Sequence, residues 1–584
     1  MLAVICLIGI GLRLSRLDHL AIEHFDEGVY AANLYANLDN YRYPQRHLYA
    51  PPLFPLLCEL AIAIGGTPDS AIWVNLVFGS LMVPLVWVVA RDVFGPVAAI
   101  VAATLCATSD YHIFFSRSAL TDVSLCFWLL LAVWLAGRGM RSGNGLTLGG
   151  AAICAALAWW TKYNGWLAIA IPLGGWGLLA IVSVAKTPGP VKSRLAGIDR
   201  EGLLRWGLFA LVAALLWSPV VYGLQSVGGY SVVAKNHAGY LVGLGGWWHG
   251  LRMHFAYHGW LTSAVGVGGT LVAGVLLLVT KGRRGMSLAA ALSCLVPLSA
   301  FAGSGAALGG VALFGGVGLF YRWFCSPQFD ERPSRLFEAM LVTWWGGLLL
   351  STPLYAPYAR LSLPWLVSTW LLVGVLAAMQ SHMTINSRMT IERSRVFVAG
   401  VCLLSPAVGL VMLAGRPETH FNTQPLGDLP AWSDRTGLRQ ATRQIIHEID
   451  LGRRSMRPSE VAGFDTAVYV VGEPALFCHL AEASQTSELQ FVASPSPSME
   501  CAAPKAGPYV PKFIVTGSHV PVAEIDAAVA TGQIELIWEQ WVLVSDMVAL
   551  DSASLKQLAH ANKVPKRGEW PDDTIPIRIY RIRP

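Results

Sequence analysis

Glu23-His24-Phe25-Asp26-Glu27-Gly28-Val29-Tyr30 follows closely on an apolar run, Met1 to about Leu17, that holds Arg13 and Arg16 near its end. A carboxylate in mid-membrane costs roughly 2.5–3.5 kcal/mol on insertion scales, so two adjacent acids just past a span either lie in water or serve a site. The rest of the chain decides between a solvated loop and a site.

The chain has 54% hydrophobic and 13% charged residues, with 22 Trp in 584 residues, and a mean hydropathy of +0.51. This excludes the ordinary soluble class and predicts a multi-spanning membrane protein. The net charge of +6 does not signal nucleic acid, because the basic residues lie between apolar stretches instead of along one face. The first span reads as an anchor, having no basic n-region before it and no small-residue cleavage site after it. Most of the ten cysteines are scattered without metal-ligand spacing; Cys478 and Cys501 share the polar C-terminal region and could pair if it is exported.

Thirteen stretches are apolar enough to cross, from 1–17 and 70–90 through 119–137 and 204–224 to 362–380 and 396–414. Pro51 to Gly66 is read as a re-entrant or interfacial helix, since counting it as a span would reverse every later loop. With a cytoplasmic N-terminus, seventeen Lys and Arg residues then gather on one side, from Arg91, Arg138 and Arg141 to Arg388, Arg393 and Arg395. That asymmetry is the positive-inside signature. The expected fold is a polytopic α-helical protein with about 13 transmembrane helices over 1–415. Its first outer loop, 18–69, carries juxtamembrane helices, and a large outer loop occupies 225–258. An odd number of crossings puts 416–584 outside, as an extracytoplasmic α/β domain with a helix at Thr436 to Ile449. Its strands are expected at 468–471, 489–492, 513–515, 534–544 and 577–582.

The few charges left on the outer side fall at the ends of spans. Arg13 ends the first, Arg117 and Asp122 sit beside Tyr111 and His112, Lys162 follows Trp160, and Tyr358 and Arg360 come late in the chain. Cations interleaved with aromatics at headgroup depth suit a lipid-linked phosphate, although snorkelling side chains in an aromatic belt look similar. The loop 225–258 adds Asn236, His237 and Tyr240, then His249, His254 and His258. No carboxylate completes a His-Glu-x-x-His pattern there, so an aromatic and imidazole-lined acceptor cleft is the reading.

Arg13, Asp26-Glu27, Pro51-Pro52-Leu53, Ser116-Arg117 with Asp122, Lys162, and Tyr358 with Pro364 together resemble the GT-C superfamily of polyprenyl-phosphate-sugar glycosyltransferases. The branch of protein O-mannosyltransferases and the aminoarabinose transferase of lipid A is the nearest likeness. The resemblance covers about 1–415 and rests on the order and common sidedness of the motifs. It departs where the aminoarabinose branch has Lys before Pro-Pro, a position held here by Ala50 with Arg46 and His47 nearby.

The resemblance implies a bacterial inner-membrane enzyme that takes a polyprenyl-phosphate sugar as donor. Its acceptor hydroxyl belongs to a protein, lipid or glycan, and its other partners are membrane lipids and no nucleic acid. Asp26 is expected as the base, with Glu27 orienting it or a neighbouring cation, or sharing a metal with it. Asp122 orients Arg117 or lines the sugar pocket. Arg13, Arg117, Lys162, Tyr358 and Arg360 are expected to hold the donor phosphate. His47, Tyr111, His112, Asn236, His237 and Tyr240 are expected to line the acceptor or sugar pocket. Two carboxylates leave room for a divalent cation without any spacing that demands one. A secondary transporter would instead place ionisable groups at the midplane of repeated halves, and a sensor or scaffold would leave the carboxylates and cations unexplained.

Overall fold

The structure is a computed structural model describing residues 1–32, 50–186, 199–225, 228–258, 312–313, 315–320, 334–384, 435–454, 466–483, 489–494, 511–517, 525, 527, 529–530, 532–543 and 574–582. The expected stretches 259–280, 286–303 and 396–414, most of 305–321, and both His47 and Cys501 lie outside these residues.

Two short helices meet at the first acidic loop, α1 (Leu2–Leu14) and α2 (Phe25–Ala31). They are followed by α3 (Leu53–Gly65), α4 (Trp73–Phe94), α5 (Pro96–Thr108), α6 (Asp110–Ser116), α7 (Thr121–Ser142), α8 (Gly145–Thr161) and α9 (Leu167–Lys186). Next come α10 (Arg200–Gln225), α11 (Tyr230–Ala238), α12 (Gly243–His258), α13 (Arg335–Ser351) and α14 (Leu363–Thr384). Among the described residues five helical segments are long and apolar enough to cross a membrane: Pro68–Phe94, Thr121–Ser142, Tyr163–Lys186, Arg200–Gln225 and Ala359–Ala378. Helices α1, α3 and α5 hold 13 residues each. At 1.5 Å per residue they reach about 20 Å, less than the ~30 Å hydrocarbon core.

The exposed side chains suit apolar surroundings. Leu204, Leu208, Leu211 and Leu215 repeat at helical spacing along α10 and are all exposed. Val77, Leu81 and Val88 do the same on α4. Such stripes are lipid-facing surface in a protein whose backbone groups are satisfied within helices.

The C-terminal part is α/β. Helix α15 (Gly437–Arg454) is strongly amphipathic and buries Leu438, Ile445 and Ile449 against the sheet side. Strand β1 (Thr466–Val471), helix α16 (Pro474–Ala483) and strands β2 (Leu489–Ser494), β3 (Pro511–Thr516), β4 (Ile534–Leu543) and β5 (Thr574–Ile582) complete it. The sheet order is β2-β1-β3-β5-β4, parallel through β2, β1 and β3, with β5 antiparallel to both β3 and β4. Every expected strand coincides with an observed one, because alternating apolar residues in short runs bounded by polar loops leave little else to form.

The two parts share one apolar core: Leu438, Ile445, Leu476 and Phe477 belong to the same buried cluster as Val29, Tyr30 and Leu125. Gly28 permits the contact. A side chain there would place its Cβ 2.0 Å from the Ala475 amide nitrogen, so α2 can lie on the start of α16 only without one.

Candidate active site

Helix α2 carries both carboxylates and is fastened at its start by its own residues. His24 Nδ1 accepts the Asp26 amide at 3.0 Å, and Glu27 Oε2 accepts the amides of Glu23 and His24 at 2.9 Å each. This is a capping box with His in the usual Ser or Thr position.

Glu27 is wholly buried, and its Oε1 accepts the Ala119 amide at 2.7 Å while Oε2 receives Arg435 Nη2 at 2.6 Å. Burial pushes its carboxyl up, but Arg435 and the two backbone amides outweigh burial and hold it below the ordinary value. With four donors on two oxygens, Glu27 is an ionised structural junction.

Asp26 faces the other way and keeps some access, its side chain 15% exposed. Its Oδ2 receives Arg360 Nη1 at 2.5 Å. Burial raises the Asp26 carboxyl; Arg360, with His24 and Lys162 nearby, reverses the shift and keeps it below the ordinary range.

A second pair stands beside it. Asp122, buried at the start of α7, accepts Lys162 Nζ at 2.5 Å through Oδ1, while its Oδ2 is buried without a hydrogen-bond partner among the described residues. Lys162 caps the end of α8 in extended conformation, which turns its stem out of the helix. Burial, with the charges of Asp26 and Asp122 adding to it, pushes the Tyr30 phenol well up. Buried Asn75 braces the turn before α7, donating to the carbonyls of Ser118 (2.6 Å) and Leu120 and accepting Ser124 Oγ at 2.7 Å.

An aromatic wall closes one side. The Tyr358 ring lies 5.9 Å from the Arg360 guanidinium and 5.7 Å from Tyr240, which stacks on Tyr355 at 5.8 Å. His237 Nδ1 hydrogen-bonds the Tyr355 hydroxyl at 2.8 Å, and its Nε2 is buried with no protein partner among the described residues. Backbone bonds from Ala356 to Tyr240 (2.7 Å) and from Val242 to Leu354 (2.9 Å) zip the two loops together. His254, through a 2.6 Å contact with Ser362, ties α12 to the turn bearing Arg360.

The structure therefore gathers Asp26, Asp122, Lys162, Tyr358, Arg360, His237 and Tyr240 around one place. Arg13, Tyr111 and His112, also expected at the ligand, are engaged by partners within the protein. Arg13 is buried, its Nη groups engaged by the carbonyls of Gly9 (2.8 Å), Ala107 (3.2 Å) and Cys106 (3.1 Å) and by His112 (2.7 Å). A guanidinium inside an apolar bundle has to be satisfied internally, and His112 is part of that arrangement. Tyr111 is buried and donates to the Ala359 carbonyl, which fixes the turn next to Arg360. Arg117 reaches back to α1, its Nη1 on the carbonyls of Arg13 (3.1 Å) and Ser15; burial, then Arg435 and Arg16, pushes it down to about 9. Asp122 pairs with Lys162 and not with Arg117. Asn236 lies on α11, but its side chain is outside the described atoms. Arg435 and Tyr355 carry no local signal of a role in the sequence, since each matters through partners more than a hundred residues away. Among the described residues no group of three or more His, Cys, Asp or Glu could hold a metal ion.

Residues 49–190 match the profile of the dolichyl-phosphate-mannose-protein mannosyltransferase family, a segment that contains Asp122 and Lys162. The chain is similar in fold to ArnT from Cupriavidus metallidurans, solved with undecaprenyl phosphate: 12% identity, 92% of this chain and 96% of that one covered, TM-score 0.50. The chain has the GT-C fold. The Archaeoglobus fulgidus oligosaccharyltransferase is also similar to it, at 14% identity, with 88% of this chain and 69% of that one covered and a TM-score of 0.46. No curated protein sequence matches the chain.

Proposed function

We propose that the enzyme moves a sugar from a polyprenyl-phosphate donor to an acceptor hydroxyl, at the outer face of a bacterial inner membrane, by one inverting displacement with Asp26 as base. The observation that carries this reading is the Asp26–Arg360 pair beside the Asp122–Lys162 pair, an accessible carboxylate flanked by two cations.

The chemistry follows from charge. Asp26 accepts the proton of the acceptor hydroxyl while that oxygen attacks the anomeric carbon. The bond from that carbon to the phosphate oxygen breaks, and the lipid phosphate leaves with the electron pair. Lys162 and Arg360 stabilise the charge that gathers on it, and no second carboxylate is needed to protonate it. The Tyr240, Tyr355 and Tyr358 rings offer an apolar face to the sugar, and His237 Nε2 a hydrogen bond. A donor of this kind is supported by the undecaprenyl phosphate in the solved ArnT complex. The motif placement supports a cytoplasmic N-terminus with the C-terminal part, 416–584, outside.

The test uses the purified full-length enzyme in lipid nanodiscs with radiolabelled polyprenyl-phosphate sugars and a mixture of membrane acceptors. Wild type consumes the donor and labels an acceptor; Asp26→Asn is folded and inactive. Full activity in Asp26→Asn removes the base assignment, and no donor consumption by wild type removes the donor class.

A further inference from the structure

Arg435 is the first described residue of the C-terminal part and is 2% exposed. It reaches the site-bearing loops from two directions at once. Its Nη2 holds Glu27 Oε2 at 2.6 Å, and its Nη1 donates to the Arg117 carbonyl at 2.6 Å and lies 2.9 Å from Ser118 Oγ. Glu27 in turn is bonded to the start of α2 on one side and to the Ala119 amide on the other. Asp26 follows from the first attachment and Asp122 from the second, three residues beyond Ala119.

The surrounding contacts repeat the pattern. The Gly437 amide donates to Glu23 Oε1 at 2.9 Å, His479 Nε2 meets the Ile22 carbonyl at 2.9 Å, and Arg439 pairs with Asp69 at 3.0 Å. Cys478 Sγ rests on the Gly28 carbonyl at 3.7 Å. The described residues of the α/β part thus grip the chain on both sides of Asp26, while Asp26 itself pairs with Arg360.

We propose that Arg435 is a positioning residue of the active site: through Glu27 and the 117–119 turn it sets the distance between the Asp26–Arg360 and Asp122–Lys162 pairs. The α/β part is then a working component of the catalytic centre. The activity arm of this inference rests on the transferase reading given above.

The experiment compares full-length wild type, Arg435→Met, Arg435→Lys, Glu27→Gln and the Glu27→Gln/Arg435→Met double variant in nanodiscs. Donor turnover and amide hydrogen exchange are both read. A misplacement near 1 Å lowers turnover by about 100-fold, so Arg435→Met loses that much in kcat with its donor KM little changed. The double variant is no slower than the worse single variant, because both changes break one junction. Exchange accelerates in 23–31 and 117–121 and stays slow in α14. Arg435→Lys keeps a charge on Glu27 but cannot also serve the Arg117 carbonyl and Ser118, so it recovers part of the turnover; it carries the test where Arg435→Met does not fold. Wild-type turnover in Arg435→Lys together with unchanged exchange, a loss confined to KM, or additive effects in the double variant overturns the proposal. A wild type that uses no polyprenyl-phosphate donor defeats the transferase reading instead, and the exchange measurements still decide the positioning role.

Discussion

Asp26 and Glu27 are neighbours in sequence and opposites in use. Both carboxyls lie below their ordinary values, but Glu27 has four donors and no access while Asp26 has one cation and an opening. The sign of the pH dependence follows. A carboxylate lowered by a partner is charged and stabilising above its unfolded value of about 3.9, and that contribution is lost as pH falls through the folded value. The acid limb of donor turnover is therefore expected below the ordinary carboxylate range. Arg360→Gln removes the cation that opposes burial, so the limb moves to higher pH in single-turnover rates; an unmoved limb means that another group governs it. Lys162→Ala leaves the buried Asp122 carboxylate unpaired and takes one cation from the leaving phosphate, so donor KM rises and turnover falls.

Among the elements, Gly28 on α2 carries a sharp expectation. Alanine there meets backbone atoms of Pro474 and Ala475 at 2.0–2.3 Å, and a backbone cannot rotate aside as a side chain can. Gly28→Ala should destabilise the protein by about 1–3 kcal/mol, the ordinary range for overpacking, and should slow turnover because α2 shifts with Asp26. Thermal unfolding and donor consumption measure both effects. Long apolar helices and alternating strands were legible in the sequence because period and length declare them. Helices α2, α6 and α11 were not: they have 7, 7 and 9 residues, too few for a periodic signal. They exist because tertiary contacts hold them. The same limit hid the division of labour between the two acids. Asp26-Glu27 is visible as a pair, but what Glu27 does is decided by Arg435, 408 residues away. Arg13 shows a related limit, since a cation at the end of an apolar run looks alike in sequence whether it meets phosphate or, as here, carbonyls.

At the scale of the molecule, sidedness links sequence and structure. Arg435, Gly437, Arg439 and His479 contact the loops at Asp18–Glu27 and Arg117–Ser118, so the C-terminal part and Asp26 share one end of the bundle. Helices α4 and α7 run from that end to Arg91, Arg138 and Arg141 at the other. There Arg138 approaches Asp92 at 3.7 Å and Arg205 pairs with Glu201 at 2.6 Å, contacts that need water or headgroups. A bilayer between these ends puts them in different compartments, and the orientation proposed above, from the basic excess, makes the second one cytoplasmic. In intact cells carrying a variant without reactive thiols, Glu539→Cys on exposed β4 should therefore react with a membrane-impermeant maleimide once the outer envelope is permeabilised. Arg141→Cys should react only after the inner membrane is opened. The reverse pattern would turn the molecule over and place Asp26 in the cytoplasm, where the donor sugar would have to be reached from the other leaflet; labelling of both before the inner membrane is opened would break the single-bilayer assignment of α4 and α7.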